Sequence, residues 1–377
     1  MILGIDASNI LAGGGVAHLQ NLLNAAQPQN FGIEKVSIWG GRIPLENLPQ
    51  YNWLDLRKIP ALNRALYYRL GWQQFHLAEL AEGECDMLFI PGGLYLGNFR
   101  PYVTMFQNMQ VFETSEFNRE GVSKEMVRFF LLKAAQSFTF RRSQGLICLS
   151  EYSMNYLNLF YPNLLNGVPT RIIPHGSESV SRAVSSQSIK AEHPLRVLYV
   201  STVKQYKHQW KLIDAIGRLR REGLNLKLDL IGGGDLRALR RMSKAINRNK
   251  DQGEFVNYRG NLSHVETLTR YQKSDLFVFP SSCETFGISL LEAMEAGLPI
   301  ACSDRGPMPE ILKDGGLYFN PESVSSIAEC LRYLLEHPEL RTRLGKKARK
   351  YARAYNWKKC ADETFSFLKE THQNNLE

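Results

Sequence analysis

The chain has 377 residues and 43.0 kDa, of which 44% are hydrophobic and 22% charged. That length suits two domains, and the composition excludes disorder as the main state. Lys+Arg 46 against Asp+Glu 37 leaves a net charge of +9, a balance that suits nucleic acid, an anionic membrane or a phosphorylated ligand.

Short apolar runs alternate with longer helical patterns. The first half predicts strands at Ile2–Asp6, Lys35–Trp39, Asp86–Ile90, Tyr102–Phe106, Gly145–Leu149 and Arg171–Pro174. The second half predicts them at Leu195–Val200, Leu226–Ile231, Phe255–Tyr258, Asp275–Phe279, Pro299–Cys302 and Leu317–Phe319. Continuous apolar runs separated by helices indicate parallel strands buried on both faces, hence α/β, doubly wound sheets. The serine-rich, aperiodic Ser177–Pro194 reads as a linker. It divides the chain into residues 1–185 and 186–377, with ligands expected at the carboxyl ends of the strands. The final helix, about Trp357–Glu370, closes the second domain or crosses back onto the first. No window has the length of apolar residues a spanning helix needs, and the opening MILGIDASN lacks the basic region of a secretory signal. The six cysteines show no CxxC spacing and read as reduced core residues of a cytoplasmic protein.

The strongest signal is FVFPSSCETFGISLLEAMEAGLP, Phe277–Pro299. A strand ends at Pro280, a loop carries Glu284 and Gly287, and a helix follows from Ile288. Gly287 lets a ligand approach the backbone, and the helix start offers unpaired N–H groups to an anion. Glu292 lies in an apolar stretch of that helix, where a buried charge needs a partner. Glu284 and Glu292 can face one pocket while holding different parts of one ligand.

E-T-F-G-x-x-x-x-E-A-M with the following G-x-P-I strand resembles the retaining nucleotide-sugar glycosyltransferases of family 4, with the GT-B fold. FVNYRG (255–260), PEIL (309–312), GGLYFNP (315–321) and YNW (355–357) resemble further parts of that pattern. The resemblance implies two Rossmann-like doubly wound domains facing a cleft, with donor on the second and acceptor on the first. It implies that Glu292 accepts from the ribose hydroxyls, that Glu284 lies at the donor sugar, and that the backbone around Phe286, Gly287 and Ile288 contacts sugar and phosphate. Arg259 joins the donor-binding candidates. In YVSTVKQYKHQ (199–209), Lys207 matches the family lysine that neutralises the diphosphate. Thr202 stands where the family has an arginine, and Lys204 is near enough in sequence to substitute. IGGGD (231–235) is either a tight turn or a direct nucleotide contact.

In the first half, Gly13, Gly14 and Gly15 resemble the family's glycine-rich first loop, so Gly14 and Gly15 are donor-binding candidates. ICLSEY (147–152) resembles a strand and turn ending in a serine near the cleft, and His175 in IPHG reads as a structural turn residue. Gln107 occupies a position where many members have histidine. An amide donates and accepts hydrogen bonds but is no general base at neutral pH. The catalytic candidates are therefore Glu284, Lys207 and Gln107. No HExxH or DxD-like pair appears, so no metal and no cofactor beyond the nucleoside-diphosphate sugar are expected.

The function implied is retaining transfer of a sugar to a hydroxyl of a saccharide or lipid-linked saccharide, in bacterial surface polysaccharide or lipopolysaccharide synthesis. A non-catalytic nucleotide-sugar-binding protein and another GT-B enzyme, such as an epimerase, stay open. Ser123–Arg142 reads either as a helix packed on its sheet or as a basic amphipathic helix on an anionic membrane surface. That second reading makes the protein peripheral on the inner face of the membrane. Residues 1–185 carry a net +1 and residues 186–377 a net +8, with nine basic and no acidic residues in Arg341–Cys360. The excess sits on the donor half, and nucleic acid is not expected as a partner, since no aromatic-basic module is present.

Overall fold

The computed structural model describes residues 1–11, 13–120, 124–177 and 194–376. It divides into two compact units, Met1–Gly176 with Tyr355–Glu377, and Ser177–Ala354. Apart from its ends, the serine-rich linker falls on residues 178–193, outside the described residues.

The first unit is built on seven parallel strands, β1 (Ile2–Ala7), β2 (Lys35–Gly40), β3 (Leu54–Lys58), β4 (Met87–Ile90), β5 (Tyr102–Phe106), β6 (Gly145–Cys148) and β7 (Thr170–Ile172). Their order is β3-β2-β1-β4-β5-β6-β7. The central strands are buried along almost their whole length, as continuous apolar runs require when helices cover both faces. β3 lies outside the strands expected from sequence. It reads Leu-Asp-Leu-Arg-Lys and sits at the sheet edge. There its polar residues take ion pairs instead of burial, Asp55 with Lys35 at 2.9 Å and Arg57 with Glu84 at 2.8 Å. A search for apolar runs passes over such a strand.

The second unit carries β8 (Leu195–Val200), β9 (Leu226–Ile231), β10 (Val256–Tyr258), β11 (Leu276–Phe279), β12 (Ile300–Ser303) and β13 (Leu317–Phe319), in the order β10-β9-β8-β11-β12-β13. All pairs are parallel. Omitting β7, the two sheets have the same order, and each reverses direction beside its first strand, at β1/β4 and at β8/β11.

The Trp357–Gln373 helix counts with the first unit. Phe365 stacks on Phe31 at 6.2 Å, Arg171 lies 4.7 Å over the Phe367 ring, and Arg171 is paired with Glu370 at 2.6 Å. A Cβ placed on Gly176 would stand 2.2 Å from the Trp357 backbone nitrogen, so only glycine lets these two segments touch. The basic segment Arg341–Cys360 is thereby split between the units. It is not a uniformly solvated face either, because Arg341 is buried and donates to the Leu335 carbonyl at 3.1 Å.

Candidate functional site

In the second unit the candidate side chains gather at the carboxyl edge of the sheet, around the β8/β11 reversal. After β8 the chain runs through Thr202 and Lys204, both exposed, into a short 3-10 turn, Gln205–Lys207. Tyr199 holds that turn from inside the core, its hydroxyl donating to the Lys207 carbonyl at 3.0 Å. His208 closes it in the left-handed region (φ 52°) and starts the Gln209–Arg221 helix. After β11, the Ser282 N–H donates to the Tyr206 carbonyl at 2.9 Å, which pins the second loop against the first. The result is an ion pair between Lys207 Nζ and Glu284 Oε1, both side chains at least 85% buried. The ammonium also lies 5.0 Å from the Tyr206 ring and 5.7 Å from the Phe279 ring, faces that favour a cation.

Gly287 stands beside this pair at the start of the Ile288–Glu295 helix, with φ 111° and no capping side chain. A side chain is strained at that φ, and a Cβ there would meet the Phe279 ring at 3.5 Å. Phe286 is buried, while Ile288 is partly exposed at the first helical turn. One turn further, Glu292 Oε2 accepts from the Tyr271 hydroxyl at 2.8 Å. Tyr271 is fully buried, and that burial, reinforced by the carboxylate, pushes its pKa well above the ordinary tyrosine value. It stays a donor at any working pH. The sequence carried no signal for Tyr271, whose role follows only from the packing of its helix on the Glu292 helix.

Two other candidates have structural partners here. Arg259 follows β10, and its Nε donates to Asp229 Oδ1 at 3.3 Å. The three glycines of IGGGD bring two loops together. A Cβ on Gly232 would lie 2.2 Å from the Ser201 carbonyl, and one on Gly234 would lie 2.4 Å from Val203 Cβ. Val203 and Gly234 form a parallel bridge, and Asp235 caps the next helix, accepting from the Ala238 N–H at 2.8 Å. These contacts account for the glycines as a tight turn.

In the first unit, Gly13 caps the Gly14–Ala25 helix with φ 66° and Gly14 is exposed. A Cβ on Gly15 would come within 3.8 Å of Gln107 Oε1, so the structure brings Gly15 and Gln107 together. Gln107 lies just after β5, its Nε2 3.7 Å from the Met105 sulfur. Ser150 is fully buried and forms a capping box with Ser153 at the start of the Glu151–Phe160 helix. His175 is buried, its Nδ1 2.9 Å from His18 Nδ1, and Trp357 lies 5.8 Å from both rings. Burial holds the His18 pKa down to about 4, and burial together with the neighbouring His18 lowers that of His175 well below its ordinary value. The pair is therefore neutral at pH 7, one imidazole donating to the other.

Among the described residues no group of three or more His, Cys, Asp and Glu is placed to hold a metal ion. None of the described helices is long and apolar enough to cross a membrane.

Two Rossmann-like parallel sheets with this strand order, each carrying its polar groups at the carboxyl edge, define the GT-B class of protein. The match to solved structures agrees. Sucrose-phosphate synthase from Thermosynechococcus elongatus aligns with a TM-score of 0.80 at 18% identity, covering 99% of this chain and 100% of that one. The Anabaena protein HepE in complex with UDP and glucose aligns at 0.70 and 17% identity, over 97% and 98%. Residues 181–351 match the family model of glycosyl transferases group 1. The O-antigen chain mannosyltransferase B of Escherichia coli is 23% identical over 89% of this chain and 91% of its own length. The sulfoquinovosyl transferase SQD2 of Arabidopsis thaliana is 37% identical over 106 residues, and the match spans only 21% of that protein.

Proposed function

We propose that this protein is a retaining glycosyltransferase of family 4 that moves a sugar from a nucleoside-diphosphate sugar to a hydroxyl of a saccharide or lipid-linked saccharide. The observation that carries the reading is the Lys207–Glu284 pair at the β8/β11 edge, beside the Gly287 helix start. A diphosphate leaving group needs positive charge where its own charge develops. Lys207 and the N–H groups after Gly287 supply it from fixed positions, which is electrostatic catalysis of departure. Lys204 reaches the same edge from solvent and stands in for the cation missing at Thr202. With Lys207 in that role the reaction runs without a metal.

Glu292 receives the ribose diol, its carboxylate held in place by Tyr271. Glu284 sits at the donor sugar and keeps Lys207 oriented until the diphosphate arrives. Arg259 and Thr202 complete the donor contacts of the second unit. Gln107 orients the acceptor or the sugar through its amide, and the departing diphosphate takes the acceptor's proton. The acceptor attacks from the face the diphosphate leaves. The full-length match to an O-antigen mannosyltransferase supports surface polysaccharide or lipopolysaccharide as the setting. Incubation with labelled UDP-, GDP-, ADP- and CMP-sugars, with and without a membrane lipid extract, tests the reading. Acceptor-dependent transfer by the wild type that is lost in Lys207→Ala and Glu292→Ala supports it; tight binding without turnover selects the non-catalytic alternative.

One surface favours a peripheral membrane location. On the Lys124–Arg142 helix, Val127, Phe130, Leu131 and Phe138 are 57%, 65%, 62% and 45% exposed. Their spacing of three, four and seven places them on one face. Arg128 and Arg141 are exposed on the same helix. Apolar residues beside basic ones suit the surface of an anionic bilayer. Co-sedimentation with phosphatidylglycerol vesicles is expected for the wild type and lost in Phe130→Ser/Leu131→Ser; equal sedimentation of the two contradicts this location.

A further inference from the structure

The first unit reverses its strand order at β1/β4, and in open parallel sheets ligands bind outside the carboxyl ends at that point. Three segments meet there: Ser8–Asn9 after β1, Gly92–Leu94 after β4, and the Leu66–Phe75 helix. A Cβ on Gly92 would stand 3.2 Å from the Asn9 Cβ, and Asn9 Nδ2 reaches the Leu94 carbonyl at 3.4 Å. Gln73 ties the three together, its Nε2 within hydrogen-bond distance of Asp6 Oδ2 (2.5 Å), Ser8 Oγ (3.2 Å) and the Leu94 carbonyl (2.9 Å).

Asp6 is fully buried here, and burial raises its pKa. Its oxygens accept from the Gln73 amide and from the Ser8 N–H at 2.9 Å, both neutral donors. No cation stands within ion-pair distance of it among the described residues. Arg69, one helical turn before Gln73, is the converse. Its residue is 9% exposed, and among the described residues its one hydrogen bond is long, NH1 to the Ser8 carbonyl at 3.3 Å. Its Nε is buried and meets no acceptor among the described residues. Loss of hydration lowers the pKa of the guanidinium, yet such a group stays charged in proteins.

A nine-tenths buried cation with one neutral contact is expensive to keep, and none of the described residues offers it a carboxylate within ion-pair distance. Its planar fork matches the paired oxygens of a phosphate or a carboxylate. We propose that Arg69 anchors an oxyanion subsite at the β1/β4 edge of the first unit, taking the phosphate or carboxylate group of an anionic acceptor. The word acceptor rests on the transferase reading above; the anion site itself does not.

The test uses the full chain carrying Lys207→Ala, which removes the buried cation of the second unit's candidate site, with inorganic phosphate as the calorimetric probe. Phosphate is expected to bind, and to bind at least tenfold more weakly once Arg69→Met is added. Arg69→Lys keeps the charge without the fork and is expected to recover only part of the affinity. Without ligand, Arg69→Met alone is expected to leave the melting temperature unchanged or higher, because an uncompensated buried charge has gone. An arginine with a purely structural role predicts a fall. Unchanged phosphate affinity in Arg69→Met, or a lower melting temperature without ligand, overturns the proposal. Competition by glucose 6-phosphate assigns a phosphorylated acceptor and competition by glucuronate a carboxylated one; competition by neither overturns it. Absence of sugar transfer by the wild type in the nucleotide-sugar assay, with phosphate binding intact, overturns the transferase reading and leaves the site standing.

Discussion

The two units share a strand order and a reversal point, but they fill it with opposite chemistry. At β8/β11 the second unit sets Lys207 against Glu284, so both charges are balanced within the chain before any ligand arrives. At β1/β4 the first unit, among the described residues, keeps Asp6 on neutral donors and Arg69 on a single carbonyl. The frame decides where a ligand goes. The side chains after each first strand decide what arrives and how strongly the empty site is strained.

The largest effect is expected where the second unit's balance is broken. Lys207→Ala is expected to lower kcat by about 10²–10³, the cost of removing one fixed transition-state stabiliser, in initial-rate assays of sugar transfer. A fall confined to KM indicates simple binding instead. Next is a backbone contact that belongs to the first unit alone. Gly176→Ala forces a Cβ to within 2.2 Å of the Trp357 nitrogen. It is expected to destabilise that unit by about 2 kcal/mol or more, seen as an earlier urea transition while the second unit's transition stays in place.

The pH response of the units should also differ. His18 is neutral in the fold with a pKa of about 4, against an ordinary value of 6.5. As pH falls from about 6.5 to about 4, the unfolded chain takes up a proton that the fold refuses. Stability is therefore complete above that window and declines through it, by about 3 kcal/mol for this one group. Thermal melts between pH 7.5 and 4.5 should show the first unit losing stability, and His18→Gln should flatten the slope. The smallest effect is expected at the ribose end of the second site. Glu292→Gln keeps an acceptor for Tyr271 and should weaken donor binding about fivefold by calorimetry, since a bond to a charged group exceeds a neutral one by about 1 kcal/mol.

The sequence made the frame legible because buried parallel strands are written as uninterrupted apolar runs. Twelve strands could be read that way, and β3 could not, being an edge strand whose residues answer to neighbouring charges. In the second unit the site was legible because its residues are consecutive in short motifs, so Glu284, Gly287 and Glu292 declare themselves together. Tyr271, His18 and Arg69 did not. Each acts through a partner distant in sequence, Glu292 across 21 residues, His175 across 157 and Ser8 across 61, and no local pattern records such a pairing. The net charge was legible as an amount but not as a role: Arg341 is buried against a carbonyl, while Lys347 pairs with Asp314 on the surface.

The return of Tyr355–Glu377 to the first unit has a consequence for how the protein is made. A ribosome finishes the seven strands of the first sheet long before it reaches Phe365, Phe367 and Leu368, which are buried against that unit. The second unit, by contrast, is continuous in the chain and complete before the last helix is translated. The first unit to begin synthesis is thus the last to close its core. A fragment ending at Gly176 lacks the helix that covers Phe31 and the side of Arg171, and a stop codon before residue 355 leaves that surface open to water for the lifetime of the product.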